Sequence, residues 1–215
     1  MEVHSPSLPH VHRPGEHAAL VRRAKLLAWG GLAWHGIEAA IAIGAGIVAG
    51  SIALVGFGAD SLIEMMAGVI LLWRFAGAPV AASEREHPAH RLIALTFWVI
   101  AAYVGIEAVR NLAVGDRPEV SYVGIGLSIF TLFTMPPLAV AKARVGERLH
   151  STATKSEGRQ TMLCAYLSVA LLVGLGANAL FGWWWADPAA ALVIAAVAAN
   201  EGLSAWRGEG GADCC

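Results

Sequence analysis

The chain has 215 residues, of which 57% are hydrophobic and only 14% are charged, whereas a soluble globular domain carries about a quarter charged residues. This composition excludes an ordinary soluble domain and indicates a protein that lies in the lipid bilayer. The formal net charge of -1 averages a basic face with acidic groups inside apolar segments, so nothing in it points to a nucleic-acid partner.

Six apolar segments separate the charged stretches, and each is near the ~20 residues that a helix needs to cross a bilayer. They cover residues 26–49, 51–73, 92–114, 120–141, 161–181 and 187–206. The alternating pattern of a membrane β-barrel is not seen, so helices are the remaining way to satisfy the backbone in lipid. The sequence therefore predicts an all-α bundle of six transmembrane helices at 26–206, between cytoplasmic tails at 1–25 and 207–215.

The Lys and Arg residues predict the orientation, because cytoplasmic flanks of membrane helices retain positive charge. Of the 15, all except Arg110 and Arg117 lie before helix 1, between helices 2 and 3, between helices 4 and 5, or after helix 6. We therefore expect both termini in the cytoplasm and the protein in the cell (plasma or inner) membrane. Residues 1–24 are polar, which does not fit a cleaved signal peptide. Arg110 lies three residues from Glu107, which predicts a local ion pair near the outer end of helix 3.

The connections between the predicted helices carry their own signals. Helices 1 and 2 are joined only by Gly50-Ser51, which predicts a tight antiparallel hairpin. Helix 4 contains Pro136-Pro137, and proline removes a backbone donor, so we expect a kink or a break near its cytoplasmic end. Residues 143–157 are predicted to form a charged cytoplasmic loop, and the three tryptophans at 183–185 an aromatic belt at the outer interface.

Helix 2 carries two acidic residues, Asp60 and Glu64, which lie four residues apart and therefore on one helix face. Ionisable groups in hydrocarbon cost roughly 2.5 kcal/mol or more each, so they usually face a protein interior and mark a pathway. Two carboxylates this close do not both ionise cheaply, but a divalent cation cancels their repulsion, and protons do so in its absence. The alternative is a pair that faces a basic neighbour, but no Lys or Arg is expected at matching depth in any span.

Further polar residues lie in helices 1 and 5. Gln160 and Cys164 are four residues apart in helix 5; cysteine is commonly a small core residue, so alone they are weak evidence for a site. His35 and Glu38 lie three residues apart on one face of helix 1, near mid-membrane. They are candidates for a proton relay or a second metal site, and a hydrogen bond that locks helix 1 in the bundle explains them equally well.

The tails contain metal-binding residue types as well. The N-terminal tail holds His4, His10, His12 and His17, and the chain ends with Cys214-Cys215. A disordered tail of this kind on the cytoplasmic side can collect metal ions, and such residues can equally be incidental. Because disulfides are disfavoured in the cytoplasm, we expect these cysteines to be free thiols.

Helices 2, 5 and 6 together resemble the cation diffusion facilitators. The resemblance is carried by GSIALVGFGADSLIEMMAGVILLWR in helix 2, the SEGRQTMLCAYLS start of helix 5 and the Asp187-Pro188 opening of helix 6. It covers about residues 27–207 and implies a six-helix bundle, often dimeric, that exports divalent metals such as zinc in exchange for protons. The chain looks like a short, divergent member that lacks the C-terminal cytoplasmic domain of many relatives.

The family's metal site combines an Asp-x-x-x-Asp pair in helix 2 with a His-x-x-x-Asp pair in helix 5. The resemblance implies the matching positions as metal ligands: Asp60, Glu64, Gln160 and Cys164. Glutamine is a poor ligand for transition metals, whereas a cysteine thiolate is a strong, soft ligand that favours zinc, cadmium or copper(I). Glu157, three residues before Gln160, is expected to line the cytoplasmic entrance.

The sequence therefore predicts a secondary transporter that exports divalent or soft, zinc-like heavy-metal cations from the cytoplasm in exchange for protons. Its expected partners are the metal ion, protons, the lipid bilayer and a second copy in a homodimer, and no cofactor is expected besides the transported metal. The alternative is a membrane protein of the same family that senses metal or binds a partner without transporting. An enzyme is not expected, because the sequence shows no nucleophile with a placed base and no cofactor motif.

Overall fold

The computed structural model describes residues 14–75 and 83–207, and these form six α-helices with short connections. The helices are α1 (Pro14–Ala49), α2 (Ile52–Phe75), α3 (Ser83–Val114), α4 (Tyr122–Arg148), α5 (Thr152–Phe181) and α6 (Ala186–Arg207). Each is long and apolar enough to cross a membrane. The predicted all-α bundle of six transmembrane helices is thus confirmed. His4, His10, His12 and Cys214-Cys215 lie outside the described residues, and the tail boundaries stay predictions.

Helices α4 and α5 extend well beyond the apolar segments that predicted them. The predicted loop at 143–157 is wrong, because only residues 149–151 connect Arg148 to Thr152. Charged residues are good helix formers, and hydropathy marks only the part of a helix that lies in hydrocarbon. The helix α4 continues through Pro136-Pro137, so it is not broken there, and the predicted kink stays a prediction. Neighbouring helices can re-satisfy backbone groups that proline frees inside a bundle.

The helices pack mainly as three pairs, α1 with α2, α4 with α5, and α3 with α6. The α1–α2 hairpin turns at Gly50, whose φ of +65° lies in the left-handed region that favours glycine. Close packing within this hairpin depends on Gly58, because a Cβ there would lie 2.7 Å from Ile43 Cγ1. Helix α2 also contacts α3, α5 and α6, so it runs through the centre of the bundle. Its acidic residues are therefore placed in the protein interior.

Large apolar side chains cover the outside of the bundle, as expected for a surface in contact with lipid. Val48, Phe133 and Leu180 are among the most exposed of them. Near the C-terminal end of α3, Arg110 Nη1 donates a hydrogen bond to Glu107 Oε2 at 2.7 Å. This contact confirms the predicted local ion pair.

Asp187 connects the start of α6 to the α1–α2 hairpin. Its carboxylate is fully buried and accepts hydrogen bonds from Ser51 Oγ at 2.5 Å and from the backbone N–H of Ala53 at 3.4 Å. The first N–H groups of a helix have no intrahelical acceptor, and the helix dipole favours negative charge at that end. Asp187 therefore caps the N-terminus of α2 from a neighbouring helix.

We expect Asp187→Ala to lower the free energy of unfolding by about 1–3 kcal/mol, because it leaves buried donors of Ser51 and Ala53 without an acceptor. The loss is measured as a lower Tm of the purified protein in detergent. Asp116→Ala is the matched control, since Asp116 is exposed in the α3–α4 connection, and its Tm should equal that of the wild type. An unchanged Tm in Asp187→Ala would contradict the capping role.

Candidate metal centre

Helices α1, α2 and α5 bring three metal-binding side chains together inside the bundle. One potential ligand atom each of His35, Glu64 and Cys164 lies within 4.8 Å of the other two, and all three residues are buried. Imidazole nitrogen, carboxylate oxygen and cysteine sulfur are the donor types that bind zinc in proteins. We call these three residues the metal centre.

The Glu64 carboxylate has acceptor capacity that the described residues leave unused. Its Oε2 lies 3.0 Å from His35 Nδ1, close enough for an ion pair. Neither carboxylate oxygen, however, has a hydrogen-bond partner within the described part of the chain, although Glu64 is only 5% exposed. A buried carboxylate without hydrogen bonds is energetically unfavourable unless another charge compensates it. His35 supplies that charge when it is protonated, and a bound cation would supply it otherwise.

Glu38 borders the metal centre, but its oxygens already have partners. Oε2 accepts a hydrogen bond from Ser61 Oγ at 3.0 Å and lies 3.2 Å from His35 Nδ1 and 3.8 Å from Cys164 Sγ. Oε1 accepts from the hydroxyl of Thr131 in α4. The predicted hydrogen bond between His35 and Glu38 is therefore present, alongside the contacts of His35 with α2. A carboxylate that orients a histidine ring is typical of the surroundings of metal-binding histidines.

Two of the four ligands implied by the resemblance are in the metal centre, namely Glu64 and Cys164. Asp60 lies one turn of α2 away, is 8% exposed and interacts electrostatically with Glu64 and His35. Gln160 lies one turn of α5 before Cys164, towards the α4–α5 connection, and is half-buried. None of the ion pairs among the described residues joins Asp60 or Glu64 to Lys or Arg. The acidic pair of α2 thus faces the protein interior and the metal centre.

Lys142 was expected in the connection between helices 4 and 5, but it lies inside the bundle. It belongs to α4 rather than to a loop, and its side chain is 1% exposed. Its Nζ donates hydrogen bonds to Glu157 Oε1 at 2.9 Å and to Thr161 Oγ1 at 3.1 Å. Because α4 and α5 extend beyond their apolar segments, the charges of Lys142 and Glu157 both lie inside the bundle. Glu157 is therefore half of a buried ion pair, and its role at an entrance stays a prediction.

Comparison with known proteins identifies the family of this chain. Residues 31–207 match the cation efflux transmembrane domain, which is more than half of the sequence. The chain belongs to the cation efflux family. The match confirms the resemblance to the cation diffusion facilitators, and it includes the metal centre and the Lys142–Glu157 pair. Members of the cation efflux family are transporters, which agrees with the expectation that the chain is not an enzyme.

One relative in the comparison is Transmembrane protein 163 of Xenopus laevis. It is 24% identical over 162 residues, which cover 75% of this chain and 58% of the relative. The chain thus spans less than two thirds of the length of this relative.

Proposed function

We propose that this cation efflux protein is a secondary transporter that carries divalent or soft, zinc-like heavy-metal cations out of the cytoplasm in exchange for protons. The observation that carries the proposal is the meeting of His35, Glu64 and Cys164 within 4.8 Å inside a domain of this family. Nitrogen, oxygen and sulfur donors together suit zinc or cadmium, whereas magnesium and calcium prefer oxygen donors alone. The transported ion is therefore a transition or heavy metal.

The same donors account for the exchange of metal against protons. A cysteine thiol or a histidine must be deprotonated to bind a metal, so binding releases protons and departure of the metal takes them up. Asp60 adds a further buried carboxylate beside Glu64, and such a pair favours either a cation or a proton. In this proposal Asp60 contributes a fourth ligand in preference to Gln160, because a carboxylate binds zinc more strongly than an amide.

The positions of the charged residues support the direction of transport. Most of the Lys and Arg residues lie in the sequence near the α4–α5 connection, the N-terminus, the α2–α3 connection or the C-terminus. By the positive-inside rule this pattern supports a cytoplasmic location of the face that carries the α4–α5 connection. Metal then enters from that face and leaves at the opposite one. A homodimer in the cell membrane remains part of the proposal.

Flux of a panel of metals into proteoliposomes tests the function. We expect zinc and cadmium, but not magnesium, to move when a proton gradient is imposed. Cys164→Ser should reduce the cadmium flux by about tenfold or more relative to zinc, because it replaces the soft sulfur donor by a hard oxygen. The matched control is Cys214→Ser with Cys215→Ser, which removes two thiols and leaves the metal centre intact.

The outcomes separate the competing functions. Metal binding without flux driven by a proton gradient would favour the alternative, a metal-sensing membrane protein of the same family. Neither binding nor flux for any metal in the panel would refute both. Equal loss of zinc and cadmium flux in Cys164→Ser would contradict the role of sulfur in selectivity.

A further inference from the structure

The buried Lys142–Glu157 pair lies where four helices converge. Helices α4 and α5 supply the two charges, α1 makes room for the ammonium with Gly31, and Gly68 of α2 lies against the carboxylate. A Cβ on Gly31 would lie 2.8 Å from Lys142 Nζ, and a Cβ on Gly68 would lie 3.8 Å from Glu157 Oε1. We call the paired helices α4 and α5 the α4–α5 hairpin. The ion pair therefore fills space between the α1–α2 hairpin and the α4–α5 hairpin.

The ion pair is about one helical turn from the metal centre along each helix that contributes a ligand. Gly31 lies four residues before His35 on α1, and Gly68 lies four residues after Glu64 on α2. On α5, Thr161 accepts a hydrogen bond from Lys142 and lies three residues before the cysteine of the centre. In all three helices this displacement is towards the end of the bundle that carries the α4–α5 connection.

We propose that the Lys142–Glu157 pair is an inner gate, which closes the route between the metal centre and the predicted cytoplasmic face. Its side chains occupy the route by volume, and the Lys142 ammonium repels a metal cation that approaches from that face. Separation of the two hairpins moves Gly31 and Gly68 off the pair and opens the route past Thr161 to the metal centre. The significance of this gate for transport rests on the proposed function, whereas the closure itself rests on the geometry of the pair.

Chemical labelling of Cys164 tests the gate. In full-length protein with Cys214→Ser and Cys215→Ser, Cys164 is the remaining thiol. A small cationic methanethiosulfonate reagent is applied to proteoliposomes from the face that carries the α4–α5 connection. Labelling should be slow in this background, and Lys142→Ala should accelerate it by about tenfold or more, because loss of one partner disrupts a buried pair.

Three further variants make the test specific. The exchange Lys142→Glu with Glu157→Lys restores an ion pair and should restore slow labelling. Gly31→Ala retains every charge, but its Cβ displaces the ammonium, so it should accelerate labelling even if Lys142→Ala fails to fold. Arg110→Ala breaks the exposed pair with Glu107 and should leave the rate unchanged. Slow labelling in both Lys142→Ala and Gly31→Ala, or fast labelling in the exchanged variant, would overturn the gate.

Cadmium binding separates this inference from the proposed function. Binding to the purified protein is read from the ultraviolet charge-transfer band of the cadmium–thiolate bond. Lys142→Ala should retain this band, because Lys142 is not a ligand. If the wild-type protein gave no cadmium signal, the metal function would be refuted, whereas the labelling rates would still decide whether the ion pair closes the route.

Discussion

Glu64→Gln is expected to abolish high-affinity zinc and cadmium binding without destabilising the fold. Glutamine keeps the shape of the side chain but replaces the carboxylate by a neutral amide, which is a poor ligand for these metals. Loss of the charge removes the cost of a buried carboxylate together with its ion pair to His35 at 3.0 Å. Since His35 keeps Glu38 as a partner, Tm should change little. We expect affinity to fall by about 100-fold or more, beyond the ~10–100-fold typical of residues that only support a ligand. Competition with a chelating dye measures the affinity.

The same substitution at Glu38 is the matched control. Glu38→Gln leaves the three donors of the metal centre in place, so its affinity should fall by no more than about 10–100-fold. Its Tm should fall, however, because Glu38 accepts hydrogen bonds from Ser61 and Thr131 that link three helices. Wild-type affinity in Glu64→Gln, or a larger loss of affinity in Glu38→Gln, would show that Glu64 is not a ligand.

Lys142→Met should destabilise the protein by about 3–5 kcal/mol, because it leaves the charge of Glu157 buried without its partner. A methionine side chain has nearly the length of lysine, so the loss reports the charge rather than a cavity. The double variant Lys142→Met with Glu157→Gln removes both charges and should recover most of the stability. Thermal unfolding in lipid nanodiscs of the wild type, Lys142→Met, Glu157→Gln and the double variant forms a double-mutant cycle.

An exposed ion pair provides the comparison for this cycle. Arg110→Met removes the partner of Glu107 near the C-terminal end of α3 and should change stability by no more than about 1 kcal/mol, as for other exposed pairs. If the effects of Lys142→Met and Glu157→Gln were simply additive, the two side chains would not stabilise each other.

The six spans could be predicted because each exceeds the length that lipid requires, and charged residues separate them. The ends of α4 and α5 could not be predicted in this way, since Lys142 and Glu157 count against a span when each is considered alone. They are tolerated because they neutralise each other, and their contact is visible only when both helices are extended until the two charges face each other. Hydropathy carries no information about such a pair.

The metal centre could be predicted in part. The spacing in α2 and the resemblance to a family indicate Glu64 and Cys164, whereas for His35 the sequence leaves open a proton relay, a second metal site or a hydrogen bond that locks helix 1. The position of His35 beside Glu64 and Cys164 depends on how α1 packs against α2 and α5. The spacing of residues within one helix gives no information about that packing. A usable signal was the stripe of Gly31, His35 and Glu38 on one face of α1, four and three residues apart.

The donors of the metal centre are divided between two structural units. His35 and Glu64 belong to the α1–α2 hairpin, and Cys164 belongs to the α4–α5 hairpin. A metal held by all three donors therefore cross-links the hairpins, and since zinc bonds are only about 2.0–2.3 Å long, a modest separation breaks them. In the proposed transport cycle, release of the metal and separation of the two hairpins would then be a single event, and the strength of the metal–sulfur bond would set the lifetime of the loaded state.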